Sequence, residues 1–89
     1  MNFQDKLDKV ITKNNSLLCV GLDPDPTKLK NGQSQFKFNK NIIDQTAGLV
    51  CCFKPQIAFY AAAGIEGIEG LEKTIEYIHE NHQDVPVLL

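Results

Sequence analysis

The sequence predicts an α/β fold built on parallel strands, and two observations carry that reading. Helical and extended patterns alternate along the chain as helix, strand, helix, strand, helix, strand. The extended segments are continuous apolar runs without alternating polar positions, the pattern of strands covered on both faces. With 89 residues, 43% of them hydrophobic and 22% charged, the chain is too apolar for disorder and has room for one small domain.

Each element has its own local cause. Phe3, Leu7, Val10 and Ile11 recur at helical spacing behind Asn2, a candidate N-cap, and the helix stops at Asn14-Asn15-Ser16. Leu17–Leu22 then reads as the first strand, ended by Asp23-Pro24-Asp25-Pro26, because proline lacks the ladder donor and restricts the residue before it. The polar stretch from there to Phe38, through Lys28, Lys30, Asn31, Gly32, Gln33, Ser34 and Gln35, reads as a mobile connecting loop. A second helix carries Ile42, Ile43, Thr46, Ala47 and Val50, with Asn39 or Asn41 as its expected cap and Gly48 near its end.

Val50–Lys54 is the second strand, closed by Pro55. Ile57 to Gly64 forms a short apolar turn of helix ended by glycine. A longer helix follows, with Ile65, Ile68, Leu71, Ile75 and Ile78 expected on the sheet. Glu66, Glu69, Glu72, Glu76 and Glu80 are expected in water, and Glu69 and Lys73 are spaced for an ion pair. Gly67 and Gly70 weaken that helix, so close packing against a neighbour is the expected reason for them. Val85–Leu89 starts a third apolar strand, and its unpaired apolar edge suggests a chain cut short.

Composition narrows the function. A net charge of −2 with scattered lysines provides no basic stripe for nucleic acid. No apolar stretch reaches the roughly 18 residues of a membrane span, and the first residues lack the pattern of a secretory signal, so a cytoplasmic protein is expected. Three cysteines, two of them adjacent, read as reduced thiols rather than a disulfide framework or a metal site. His79 and His82 fall in the last turn of a helix, where imidazoles favour the dipole, and no third metal ligand is evident nearby.

Ligands of α/β sheets bind beyond the carboxyl ends of the strands, which makes Asp23 and Lys54 the first candidates. Strand parity puts Cys19, Gly21 and Asp23 on one face of the first strand, and Cys52, Lys54 and Gln56 on one face of the second. If those faces point into one interior, a carboxylate, an ammonium and an amide converge there. The plainer alternative is that Asp23 shapes the Asp-Pro turn and Lys54 reaches for solvent.

Leu18-Cys19-Val20-Gly21-Leu22-Asp23-Pro24-Asp25-Pro26, followed by Phe53-Lys54-Pro55-Gln56-Ile57-Ala58-Phe59-Tyr60, closely resembles orotidine 5′-phosphate decarboxylases of the longer bacterial subfamily. Gly64 and Leu71-Glu72-Lys73-Thr74-Ile75 extend the likeness. The resemblance implies that residues 1–89 are the N-terminal part of a single (β/α)8 TIM-barrel domain: a cap helix, two βα units and the start of a third strand. A whole barrel takes about 250 residues.

It further implies a cytoplasmic, homodimeric lyase that converts orotidine 5′-phosphate to UMP and carbon dioxide without metal or organic cofactor, and without nucleic-acid or membrane partners. By resemblance, Asp23 is the aspartate that hydrogen-bonds the substrate ribose, and Lys54 is the catalytic lysine of an alternating Lys/Asp charge network. Gln56 falls where a polar side chain approaches the nucleotide. The family's Asp-x-Lys-x-x-Asp motif, which supplies the proton donor, would follow Val87-Leu88-Leu89, so the 89 residues alone are expected to be inactive. The competing expectation is a small non-enzymatic α/β module that binds a phosphate ligand or a protein partner through its sheet edge.

Overall fold

The structure, a computed structural model, describes residues 2–29 and 33–89. Helix α1 spans Phe3–Asn14, and the Asn2 side chain accepts from the Asp5 amide at 2.8 Å, as an N-cap does. Its end is set by Asn15, at φ 49°, a residue type that tolerates the left-handed region. The Asn14 amide then donates to the carbonyls of Ala47 and Val50, tying this helix end to the turn before the second strand.

Strands β1 (Cys19–Leu22) and β2 (Cys52–Pro55) pair in parallel, with Cys19 opposite Cys52 and Gly21 opposite Lys54. Val87 bridges Phe53, also in parallel, through Phe53 N–H to the Pro86 carbonyl and Leu88 N–H to the Phe53 carbonyl. β2 is therefore central, with β1 on one side and the Val85–Leu89 segment on the other. That segment makes one bridge rather than a strand.

Leu22 and Phe53 point into a core shared with Val10 of α1, Val50, Ile43 and Ile78, each at most 1% exposed. On the opposite face Cys19, Gly21 and Lys54 are exposed while Cys52 is 6% exposed, and Leu17 and Leu18 stay outside β1 at 82% and 57% exposure. Within the described residues the core lies on the Leu22 and Phe53 face.

Helix α2 runs Gln35–Thr46, starting well before the apolar residues suggested, because Ser34 caps it by accepting from the Lys37 amide at 3.0 Å. Gln35, Asn39 and Ile43, four apart, form its buried stripe. Two of the three are polar, which disguised the first turns as loop. Of the polar connection expected before it, residues 30–32 lie outside the described residues.

Helices α3 (Ile57–Ala61) and α4 (Gly64–Asn81) meet at Gly64, whose φ of 70° suits glycine. α4 packs on α2 and α3, but it is rotated from the expected orientation. Its buried positions are Gly67, Gly70, Leu71, Thr74 and Ile78, while Ile65 and Ile68 are 80% and 47% exposed.

Gly67 explains the rotation. A Cβ there would sit 1.7 Å from the Tyr60 carbonyl oxygen, so the two backbones approach through a gap only glycine leaves. The glutamates do face water. Glu69 and Lys73 form no ion pair; among the described residues the pairs are Lys13–Asp84 and His82–Asp44. Among those residues, too, no helix is long and apolar enough to cross a membrane.

Gly67→Ala is expected to destabilise the chain by about 2 kcal/mol or more, since backbone atoms must move to admit the methyl group. Gly48→Ala meets nothing within 4 Å and should change stability by less than about 1 kcal/mol. Urea unfolding midpoints of the two variants against the parent chain test both.

Candidate functional site at the strand ends

β1 and β2 deliver three polar side chains to one end of the sheet. Lys54 lies opposite Gly21, and Asp23 and Gln56 each stand one residue past the paired Leu22 and Pro55. The Sγ atoms of Cys19 and Cys52 touch at 2.9 Å. The residues of like parity in the two strands thus share a face, and by strand alternation that face continues to Gly21 and Lys54. Asp23, Lys54 and Gln56 are all exposed.

Asp23 folds back toward its own strand. A Cβ on Gly21 would lie 3.1 Å from Asp23 Oδ2, so the glycine makes room for the carboxylate. The second aspartate of Asp-Pro-Asp-Pro has another task. Asp25 Oδ1 accepts from the Thr27 amide at 2.9 Å and the Thr27 hydroxyl at 2.8 Å, and these bonds hold its carboxyl below the usual range. Asp25 therefore builds the turn, and Asp23 accepts no hydrogen bond among the described residues. Gln56 is the N-cap residue of α3, but its side chain makes no capping bond.

The segment around Asp23 is gripped from inside. Tyr60, fully buried, donates its hydroxyl to the Leu22 carbonyl at 2.7 Å. Gln35 donates to the Pro24 carbonyl at 3.0 Å and to the Phe59 carbonyl at 2.9 Å. The carbonyls on both sides of Asp23 are thus each held by a buried side chain from another element.

Burial pushes the Tyr60 hydroxyl up to about 12; the Asn39 amide donating to it works against that rise and the Asp23 charge adds to it. Asn39 Nδ2 reaches the Tyr60 hydroxyl at 2.9 Å and Thr74 Oγ1 at 3.1 Å, and the Thr74 hydroxyl donates to the Gly70 carbonyl at 2.7 Å. Each hydroxyl has one proton, and each proton is committed to a carbonyl. Only the NH2 of Asn39 can face both, which fixes the orientation of the amide.

Sequence reasoning placed Asp23, Lys54 and Gln56 at the strand ends and missed Gln35, Asn39 and Tyr60 as their support. The signal was present: a tyrosine in an apolar segment needs a partner for its hydroxyl. The four-residue spacing of Gln35, Asn39 and Ile43 marks a helix face. Of the two histidines, His82 caps the C-terminus of α4 with Nε2 3.1 Å from Asp44. Among the described residues no cluster of three or more His, Cys, Asp or Glu is placed to hold a metal ion.

No family model matches the chain. Over its whole length it is 52% identical to the orotidine 5′-phosphate decarboxylase of Dechloromonas aromatica (strain RCB) and 48% identical to that of Cupriavidus metallidurans, covering 34% of each. The chain thus spans about a third of the length of these curated relatives. Among solved structures, 99% of it superposes on 30% of a Toxoplasma gondii chain provisionally assigned as an orotidine-monophosphate decarboxylase, with TM-score 0.89 and 40% identity. Leishmania donovani UMP synthase matches over 98% of this chain and 18% of its own, with TM-score 0.79 and 30% identity. The architecture is that of one part of a decarboxylase-type (β/α)8 barrel, and the reading as a non-enzymatic module is not favoured.

Tyr60→Phe should cost about 1–3 kcal/mol, because it strands the Leu22 carbonyl and one N–H of Asn39. The pH dependence has a definite sign. A proton held more tightly in the fold, up to about 12 against about 10 in an unfolded chain, stabilises below pH 10, and that contribution is lost as the pH rises from 10 to 12. The difference in unfolding free energy between the parent chain and Tyr60→Phe should therefore shrink across that window in alkaline denaturation curves.

Proposed function

We propose that this chain supplies the N-terminal βα units of an orotidine 5′-phosphate decarboxylase, a cytoplasmic homodimer that releases carbon dioxide from the nucleotide to give UMP. The observation that carries the reading is the register of β1 and β2, which brings Asp23, Lys54 and Gln56 to the carboxyl ends of neighbouring parallel strands. The similarity along the whole chain supports it.

In this reading Asp23 accepts a hydrogen bond from a ribose hydroxyl, for which its exposed carboxylate is suited. Gln56 offers an amide to the nucleotide. Lys54 presents a positive charge toward the carbon that loses its carboxylate. Decarboxylation leaves an electron pair on that carbon, and an ammonium held in place beforehand stabilises the developing charge more than it stabilises the ground state. Protonation of that carbon requires a donor from the Asp-x-Lys-x-x-Asp motif, which lies outside these 89 residues. No metal and no organic cofactor enters this scheme.

The test is a chimera in which this chain replaces the matching third of the Dechloromonas aromatica relative. The purified chimera should consume orotidine 5′-phosphate, followed by its ultraviolet absorbance, whereas the 89-residue chain alone should not. Lys54→Ala in the chimera should lower kcat by about 10²-fold or more, in the range found for removing one preorganised electrostatic contact. A folded chimera without turnover, or an unimpaired Lys54→Ala, sinks the assignment.

A further inference from the structure

The turn that carries Asp23 is held from inside by a side chain at the start of a helix. Ser34 caps α2 by accepting from the Lys37 amide at 3.0 Å, which makes Gln35 the first helical residue. Gln35 is 7% exposed, and its single NH2 group donates to the Pro24 carbonyl at 3.0 Å and to the Phe59 carbonyl at 2.9 Å. We propose, on the decarboxylase reading above, that Gln35 is a positioning residue: its amide clamps the turn carrying Asp23 to the segment carrying Gln56, and so sets how tightly the site holds the ribose of its nucleotide.

Both carbonyls need this donor. Pro24 has no N–H, so its carbonyl is the one backbone group through which a neighbour can hydrogen-bond it. Phe59 lies in the last turn of α3, where carbonyls lack a helical donor. The Ala63 N–H that an α-helix would bring to it goes instead to the Tyr60 carbonyl at 3.1 Å. A carbonyl only accepts, so the amide presents its nitrogen to both.

Asp23 precedes Pro24, and the proline ring confines its backbone to the extended region. Asp25 and Thr27 fix the turn on its far side. What is left to set is the placement of the whole turn relative to β2 and α3. Tyr60 sets it at the Leu22 carbonyl, before Asp23, and Gln35 sets it at the Pro24 carbonyl, after Asp23. Lys54 is placed by another cause, its register opposite Gly21 in the sheet. Losing the clamp therefore loosens Asp23 and leaves Lys54 where it is. The ribose is unchanged while carbon dioxide departs, so the Asp23 contact is equally strong in the ground state and the transition state. Weakening such a contact raises KM and spares kcat.

The experiment uses the full-length chimera with the Dechloromonas aromatica relative, and UMP as a binding probe that needs no turnover. Gln35→Met keeps the volume and removes the donors. It should raise KM for orotidine 5′-phosphate, and the dissociation constant of UMP, by about tenfold, the lower end of what a hydrogen bond to a charged group is worth. The value of kcat should stay within about twofold of the parent chimera. Because Gln35 acts through Asp23, Gln35→Met should add less than about twofold to KM in an Asp23→Ala background. A role in folding alone would lower the unfolding midpoint in both backgrounds and leave KM of the folded enzyme unchanged. Should Gln35→Met fail to fold, the same cycle is run with Gln35→Asn, whose amide is one methylene too short to span both carbonyls.

An active chimera in which the Gln35 variant leaves KM unchanged, lowers kcat as Lys54→Ala does, or adds its full effect to Asp23→Ala overturns the clamp and leaves the decarboxylase reading standing. A folded chimera that neither turns over nor binds UMP overturns that reading, and the clamp with it.

Discussion

The carbonyl of Leu22, last residue of β1, receives the Tyr60 hydroxyl at 2.7 Å, and much of the structure hangs on that bond. A buried carbonyl at a strand end needs a donor, and here the donor comes from α3, directly after β2. The end of one strand is thereby tied to the segment that follows the other. Tyr60 also takes a hydrogen bond from Asn39 of α2 through its hydroxyl, while its backbone carbonyl lies against Gly67 of α4. One residue sets the relative placement of β1, α2, α3 and α4.

That arrangement separates rigidity from reactivity at the strand ends. The buried partners hold backbone, at Leu22, Pro24 and Phe59, and the Asp23 side chain accepts no hydrogen bond among the described residues. Asp25 shows the contrast, with its carboxylate committed to Thr27. A fixed backbone spares the ligand the cost of ordering the main chain, while the side chain's own rotamer freedom is still lost on binding. The backbone of Lys54 is likewise fixed, by the pairing of β2.

How much of this the sequence disclosed depended on the kind of information each residue carries. The two strands and the placing of Asp23 and Lys54 at one end of the sheet were legible because proline stops and strand parity are local rules. The cap at Asn2 was legible for the same reason. Helix α2 was misjudged because Gln35 and Asn39 are polar and buried, and a hydropathy pattern cannot distinguish a buried amide with partners from one in water.

The orientation of α4 was misjudged because its isoleucines do form an apolar stripe. What overrode the stripe was a backbone approach at Gly67, a contact between elements that no periodicity within one helix can report.

The node around Tyr60 has a consequence for proton movement. Concerted reversal of a hydrogen-bonded chain requires every member to be able to turn around, and here none can. Tyr60 and Thr74 both end on carbonyls, which never donate, and Asn39 gives both its N–H groups. The network has a single proton ordering. It is a set of frozen dipoles and not a relay, so protons cannot pass between the core and the strand ends along it. Acid chemistry beside Asp23 and Lys54 does not draw its protons through this network.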